Sequence, residues 1–248
     1  MAAENIDQVI EQLDEIIEVA RAEESRLGYF AALYRKVTIQ VGKGIEEDFF
    51  DDPARMERLD VVFANRYLDA LAQYRQGLET TDSWAVAFAA SQQWWPIVLQ
   101  HLLIGMNAHI NLDLGIAAAR TAPGQALPGL KNDFDKINEI LSSMVDDVER
   151  ELARVWPLLR LLDKVAGRTD ETIIRFSMDR ARDDAWAVAQ ILASLDQVAQ
   201  AERIAQLDGQ VARMGRLLWH PGLLIGTAVR IIRLGERGTV AKIIDKLA

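Results

Sequence analysis

Apolar residues recur every three or four positions along almost the whole chain, and no stretch alternates every second position. Ile6, Val9, Ile10, Leu13, Ile17 and Ala20 set the pattern at the start. Phe134, Ile137, Leu141, Met144, Val148, Leu152 and Val155 repeat it beyond the middle. That spacing lines up one face of a helix. A chain whose patterned segments all have the helical period must bury helices against helices. The punctuation agrees, because 248 residues hold 15 Gly and 6 Pro, too few for a turn-rich β architecture. The expectation is an all-α, bundle-like fold over one domain, 1–248, a length able to bury a sizeable core.

The breakers divide the pattern into elements. A second helix is expected over about 27–41, ended by Gly42 and Gly44. Asp52-Pro53 reads as an N-cap with Pro at the first helical position, opening a helix that Gly77 ends. Asp82 or Ser83 would cap a short helix through Trp84 and Phe88. Pro96 opens a helix over about 96–120. The two Pro and two Gly at 121–130 mark a loop and the best candidate for a subdomain joint. Pro157 would kink the long helix that follows. Asp170 would cap another over about 171–207. Pro221-Gly222 breaks the basic end, 210–248, into a last helical pair.

Charge is uneven. Residues 1–52 hold 5 Lys/Arg against 13 Asp/Glu, and residues 210–248 hold 7 against 2. A net charge of -9 argues against general nucleic-acid binding. The basic end is expected to pair with the acidic start or to face solvent, with an anion or a membrane surface as the alternative. Cys is absent, which excludes disulfides, thiolate zinc sites, cysteine-held iron–sulfur clusters and cysteine nucleophiles. The first residues lack a basic then apolar leader, and no run of 18 uninterrupted apolar residues occurs. A cytoplasmic protein without an integral membrane segment is expected.

The helix at about 96–120 is apolar, yet it carries His101, Asn107, His109, Asn111 and Asp113. Burying such groups costs free energy unless they are paired or ligating. His109 and Asp113 are four apart and share a face. Asn107 and Asn111 pair on another side, and Gly105 leaves a notch for a ligand or a neighbouring helix. Three roles fit. His109 could act as general acid or base, with Asp113 fixing its tautomer. His101, His109 and Asp113 could ligate a divalent metal, with Asp60, Asp69 or Asp179 completing the set. The groups could simply tie helices together. Around them, Asn65, Arg66 and Asp69 would meet the cluster across a helix contact, or Arg66 would pair with Asp69. Trp94 and Trp95 would wall a pocket or pack. Arg175, Asp179, Arg182 and Trp186 share one face, as an ion-pair ladder or an anion grip.

The stretch Met56-Glu57-Arg58-Leu59-Asp60-Val61-Val62-Phe63-Ala64-Asn65-Arg66-Tyr67-Leu68-Asp69 and the stretch His101-Leu102-Leu103-Ile104-Gly105-Met106-Asn107-Ala108-His109-Ile110-Asn111-Leu112-Asp113-Leu114, with the spacing between them, resemble the signatures of a bacterial family, the domain of unknown function DUF5995. The likeness is clearest over 30–120. It implies a helical, soluble protein and no particular reaction.

No phosphate loop, nucleotide or flavin fingerprint, nucleophile elbow or HExxH motif is present. Two functions stay open. One is a small-molecule enzyme of hydrolase, lyase or cyclase type, non-redox, acting on a largely apolar metabolite. His101, His109 and Asp113 would be catalytic or hold a metal; Asn107, Asn111, Asn65, Arg66, Asp69, Trp94 and Trp95 would hold substrate. The other is a non-catalytic binding or scaffold protein, working through the acidic N-terminal and basic C-terminal helices, in a homodimer for instance.

Overall fold

The computed structural model describes residues 2–155 and 178–248, with side chains throughout except at 142, 145–155, 179 and 224. The elements are α1 (Ile6–Ala22), α2 (Leu27–Glu46), α3 (Pro53–Arg75), α4 (Asp82–Ser91), α5 (Val98–Ala108), a π-turn (His109–Leu114), α6 (Gly115–Thr121), α7 (Leu127–Val155), α8 (Met178–Ala193), α9 (Gln197–Trp219), α10 (Leu223–Gly235) and α11 (Val240–Leu247). The described residues contain no strand, so the fold is all-α. α5, the π-turn and α6 run on as one 24-residue helix, Val98–Thr121. By length and composition it could cross a membrane, but 83% of its most apolar window is buried inside the protein, as in a core helix.

Local chemistry sets most helix starts. Asn5 accepts from the Gln8 backbone N–H to cap α1, and Asp52 accepts from Arg55 ahead of Pro53 in α3. Tertiary contacts set others. The Asp208 carboxylate on α9 accepts from the Asp82 and Ser83 backbone N–H groups at 2.7 and 2.9 Å, so α4 is capped from a distant helix, not by Asp82 or Ser83 themselves. Buried Asp133 on α7 accepts from the Asp51 and Asp52 N–H groups and from Arg55, fixing the turn into α3.

Three boundaries differ from the sequence expectation: α7 begins at Leu127, so Pro128 and Gly129, expected in the loop at 121–130, lie in its first turn. α2 runs through Gly42 and Gly44 to Glu46. Gly44 serves packing, since a Cβ there would lie 3.0 Å from the Phe50 ring. The helix expected over 171–207 is interrupted after Ala193, and Asp196 caps α9 by accepting from Ala199. The Pro157 kink and the Asp170 cap lie outside the described residues.

The continuous helix joins two apolar cores. Val98, Leu102 and Ala108 pack with α1, α2, α3, α4 and α11. Ile110, Leu112, Leu114 and Ile116 pack with α7, α8 and α9. The π-turn falls at the crossover. Such a turn carries one residue more than an α-turn and is often found at functional sites. At the far end, α11 lies on α1 and α2: Arg21 meets Asp245 at 2.8 Å, and the Glu24 carboxylate accepts from the Val240 N–H at 2.7 Å. The ion pair that joins the two ends runs opposite to the charge expectation, with the base, Arg21, in the acidic start and the acid, Asp245, in the basic end.

Candidate functional site

His109 opens the π-turn and is 3% exposed. Its ring stacks on Phe63 of α3, 3.6 Å between centroids, and meets the Tyr34 and Phe30 rings of α2 edge-on at 4.4 and 5.5 Å. Neither ring nitrogen has a hydrogen-bond partner among the described residues. Burial pushes the imidazole below its ordinary pKa, against the pull of Asp113, so the ring is neutral near pH 7.

Asp113 is fully buried behind it, yet its oxygens are taken by other groups. Arg66 Nε on α3 donates to Oδ1 at 2.5 Å, and Trp84 Nε1 on α4 donates to Oδ2 at 2.8 Å. His109 Nδ1 stands 3.8 Å from Oδ2, an ion-pair distance and too long for a hydrogen bond. Asp113 therefore tethers three helices first and faces the imidazole second. Arg66 does cross to the central helix, and its partner is Asp113 instead of Asp69, which is exposed.

His109 lines a cavity of about 100 Å³ between α2, α3, the central helix, α7 and α8. Its walls are mostly aliphatic and aromatic, such as Val37, Met56, Phe63, Met106 and Ile137. Three of its lining residues carry buried polar atoms without a hydrogen-bond partner among the described residues: the His109 ring nitrogens, the Tyr34 hydroxyl and Asp60 Oδ2. Burial holds the Asp60 carboxyl up at about 7. Burial, then the nearby Asp60, pushes the Tyr34 phenol well above its usual value. Arg182 also borders the pocket, donating from Nη2 to the Phe134 carbonyl and from Nε to Asn138. Asp60, His109 and Arg182 come from the three polar rows of the sequence, so those rows do meet.

The structure sets the other expected residues elsewhere. His101 faces a separate small chamber of about 20 Å³, where its ring meets Tyr29 edge-on at 5.7 Å, so it does not act beside His109. Among the described residues no three His, Asp or Glu side chains gather closely enough to hold a metal. The set His101, His109 and Asp113 fails for that reason: the histidines face different cavities, and Asp113 is already bonded twice. Asp60 joins His109 without His101, and the Asp179 side chain lies outside the described residues.

Asn107 donates to the Val211 carbonyl of α9, and Asn111 donates to Asn107, so both asparagines pin helices instead of meeting a pocket ligand. Asn65 clamps the Ala3 backbone through two hydrogen bonds of 2.8 Å. With Arg66, Asp69 and Asp113 it borders a polar cleft separate from the apolar pocket. Trp94 is exposed beneath the Arg233 guanidinium, and Trp95 packs against Trp219 and His220; neither reaches His101 or His109. On α8, Trp186 is buried against Phe134. Arg175 lies outside the described residues.

Sequence reading overlooked Tyr34 and Phe30 and weighed Asp60 only as a metal ligand. A signal was present. Asp60 sits inside the apolar run Leu59 to Phe63, where a carboxylate is costly to bury, and Phe30 and Tyr34 are four apart on one helical face.

Among known families, the one described as Family of unknown function (DUF5995) matches residues 6–221. That span covers most of the chain, and the chain belongs to this family. No curated protein and no solved structure matches it.

Proposed function

We infer that this member of the DUF5995 family is a small-molecule enzyme that moves protons on a largely apolar metabolite, by hydrolysis, elimination or cyclisation. One observation carries the reading. Three buried polar groups without partners belong to residues lining one apolar pocket, His109, Tyr34 and Asp60. Leaving such groups unsatisfied costs about 1–3 kcal/mol each, a cost that a ligand with matching groups would remove. The pocket has the mostly apolar lining with a few polar groups that small-molecule sites favour, and at about 100 Å³ it must widen to take a ligand.

The protonation states divide the labour. With its carboxyl near 7, Asp60 keeps a proton to give around neutrality. Neutral His109 offers one nitrogen lone pair as a base. The Tyr34 hydroxyl stays protonated and donates a hydrogen bond to developing negative charge. Asp113, locked by Arg66 and Trp84, holds a negative charge behind the imidazole and stabilises it once protonated. Exclusion of water strengthens each of these interactions.

The test incubates the protein with the apolar fraction of a cell extract and follows consumption by mass spectrometry. Wild type is expected to consume a compound whose product is isomeric or differs by one water. Asp60→Asn and His109→Phe should each abolish that conversion while retaining cooperative unfolding. If wild type retains an apolar compound unchanged, the pocket belongs to a binding protein. If both variants convert it at the wild-type rate, neither residue carries chemistry and the enzyme reading falls.

A further inference from the structure

Phe30 lines both the His109 pocket and the His101 chamber. Its ring has Tyr67, Trp84 and His109 edge-on at 5.1, 5.5 and 5.5 Å. It lies against the bare backbone of Gly105, where a Cβ would fall 2.7 Å from the ring. Gly105 thus makes room for an aromatic wall between two cavities. For a chain to pass from one cavity to the other, that ring must turn into another side-chain rotamer.

The far chamber is not simply apolar. His101 is 7% exposed, and neither of its ring nitrogens has a partner among the described residues. Arg26 Nε, in the wall of the same chamber, is buried and equally without a partner. The remaining lining includes Leu27, Ala87 and Phe88. A guanidinium nitrogen and an imidazole without acceptors, at the side of an aromatic passage, suit a carboxylate.

We propose that the His101 chamber is the second compartment of the ligand site, taking the carboxylate end of an elongated apolar ligand, with Phe30 as the partition that sets how long that ligand can be. This rests on the His109 pocket being a ligand site. Arg26 and His101 hold the carboxylate, the chain passes where the Phe30 ring now stands, and the opposite end lies against His109, Tyr34 and Asp60.

The test uses N-phenyl-1-naphthylamine fluorescence as the pocket probe. It is displaced by straight-chain carboxylic acids from hexanoic to octadecanoic and by their methyl esters. Wild type should bind acids more tightly than esters, and Arg26→Gln should remove that preference, a loss of roughly tenfold or more. Phe30→Ala should move the optimum to longer chains, each further methylene tightening binding about fourfold. Phe30→Leu, which disturbs the core less, should move it the same way by a smaller step. Equal binding of acid and ester by wild type overturns the carboxylate assignment. An unchanged length optimum in both Phe30 variants overturns the partition. If the naphthylamine itself fails to bind wild type, the His109 pocket is not a ligand site, and both readings fall together.

Discussion

Asp60 carries a carboxyl into an apolar wall, and the difficulty of charging it there imposes a pH dependence on the whole fold. Its folded value lies at about 7, against an ordinary 3.8. Between these values the folded protein keeps a proton that the unfolded chain has lost, so stability falls as pH rises through that window. The contribution is complete below about pH 4, and on the order of 4 kcal/mol is gone above pH 7. Asp60→Asn should therefore stabilise the protein at pH 8 far more than at pH 4, by urea unfolding; an equal effect at both would show that the carboxyl is charged in the fold. His109 has the opposite sign. Its lowered value means that the unfolded chain takes up a proton first as pH falls below about 6.5, and stability drops there. The two members of the π-turn pair also differ in kind. Asp113→Ala strands Arg66 and leaves the Trp84 N–H unbonded, which should cost about 3–5 kcal/mol. His109→Phe loses no hydrogen bond among the described residues and keeps the stack on Phe63, so it should change stability by about 1 kcal/mol or less. Unfolding curves in urea separate these cases, and similar losses for both would make His109 a structural residue.

At the scale of the element, the central helix works because small residues let its neighbours come close. Gly105 admits Phe30 of α2, and Gly115 admits the backbone of α8, where an added Cβ would lie 2.7 Å from the Ala185 carbonyl oxygen. A backbone atom cannot swing aside as a side chain does. Gly115→Ala should then destabilise by about 1–3 kcal/mol despite its better helix propensity, read as a lower urea midpoint with an unchanged slope. A raised midpoint would mean that α8 can shift. The helix itself was legible in the sequence between Pro96 and Arg120, and so was its polar load. The π-turn was not, because its extra residue answers to packing at the junction of two cores, which no local propensity encodes. For the same reason Asn107 and Asn111 read as binding residues, although the acceptor that explains them, the Val211 carbonyl, lies 104 positions away in sequence.

For the molecule as a whole, the ends are held together. α11 inserts Ile243, Ile244 and Leu247 into the core shared by α1 and α2, and Gly28 lies where the Ile244 side chain needs room. α10 and α11 fall beyond the span matched to the family, residues 6–221, yet α11 completes that core. Removing residues 240–248 should expose apolar surface on α1 and α2 and withdraw three buried aliphatic side chains, each worth about 1.5–3 kcal/mol. The expected result is a large drop in melting temperature, with faster amide exchange in α1; a truncated chain that melts like the full one would make α11 an appendage.

By itself the sequence determined the helical class, several helix starts, and the central helix as the place to look for a site. Periodicity, caps and breakers are local properties, written within a few residues of where they act. Membership of the family was also legible there, in the two long motifs. Only the tertiary structure decided which polar groups are spent and which are free. Asp113, Asn107, Asn65 and Asp133 find partners on distant segments, whereas His109, Tyr34 and Asp60 line a pocket without one and His101 lines another chamber. Whether a buried polar group has a partner depends on what the fold brings within about 3 Å of it, and sequence spacing on one helix cannot say what the next helix offers.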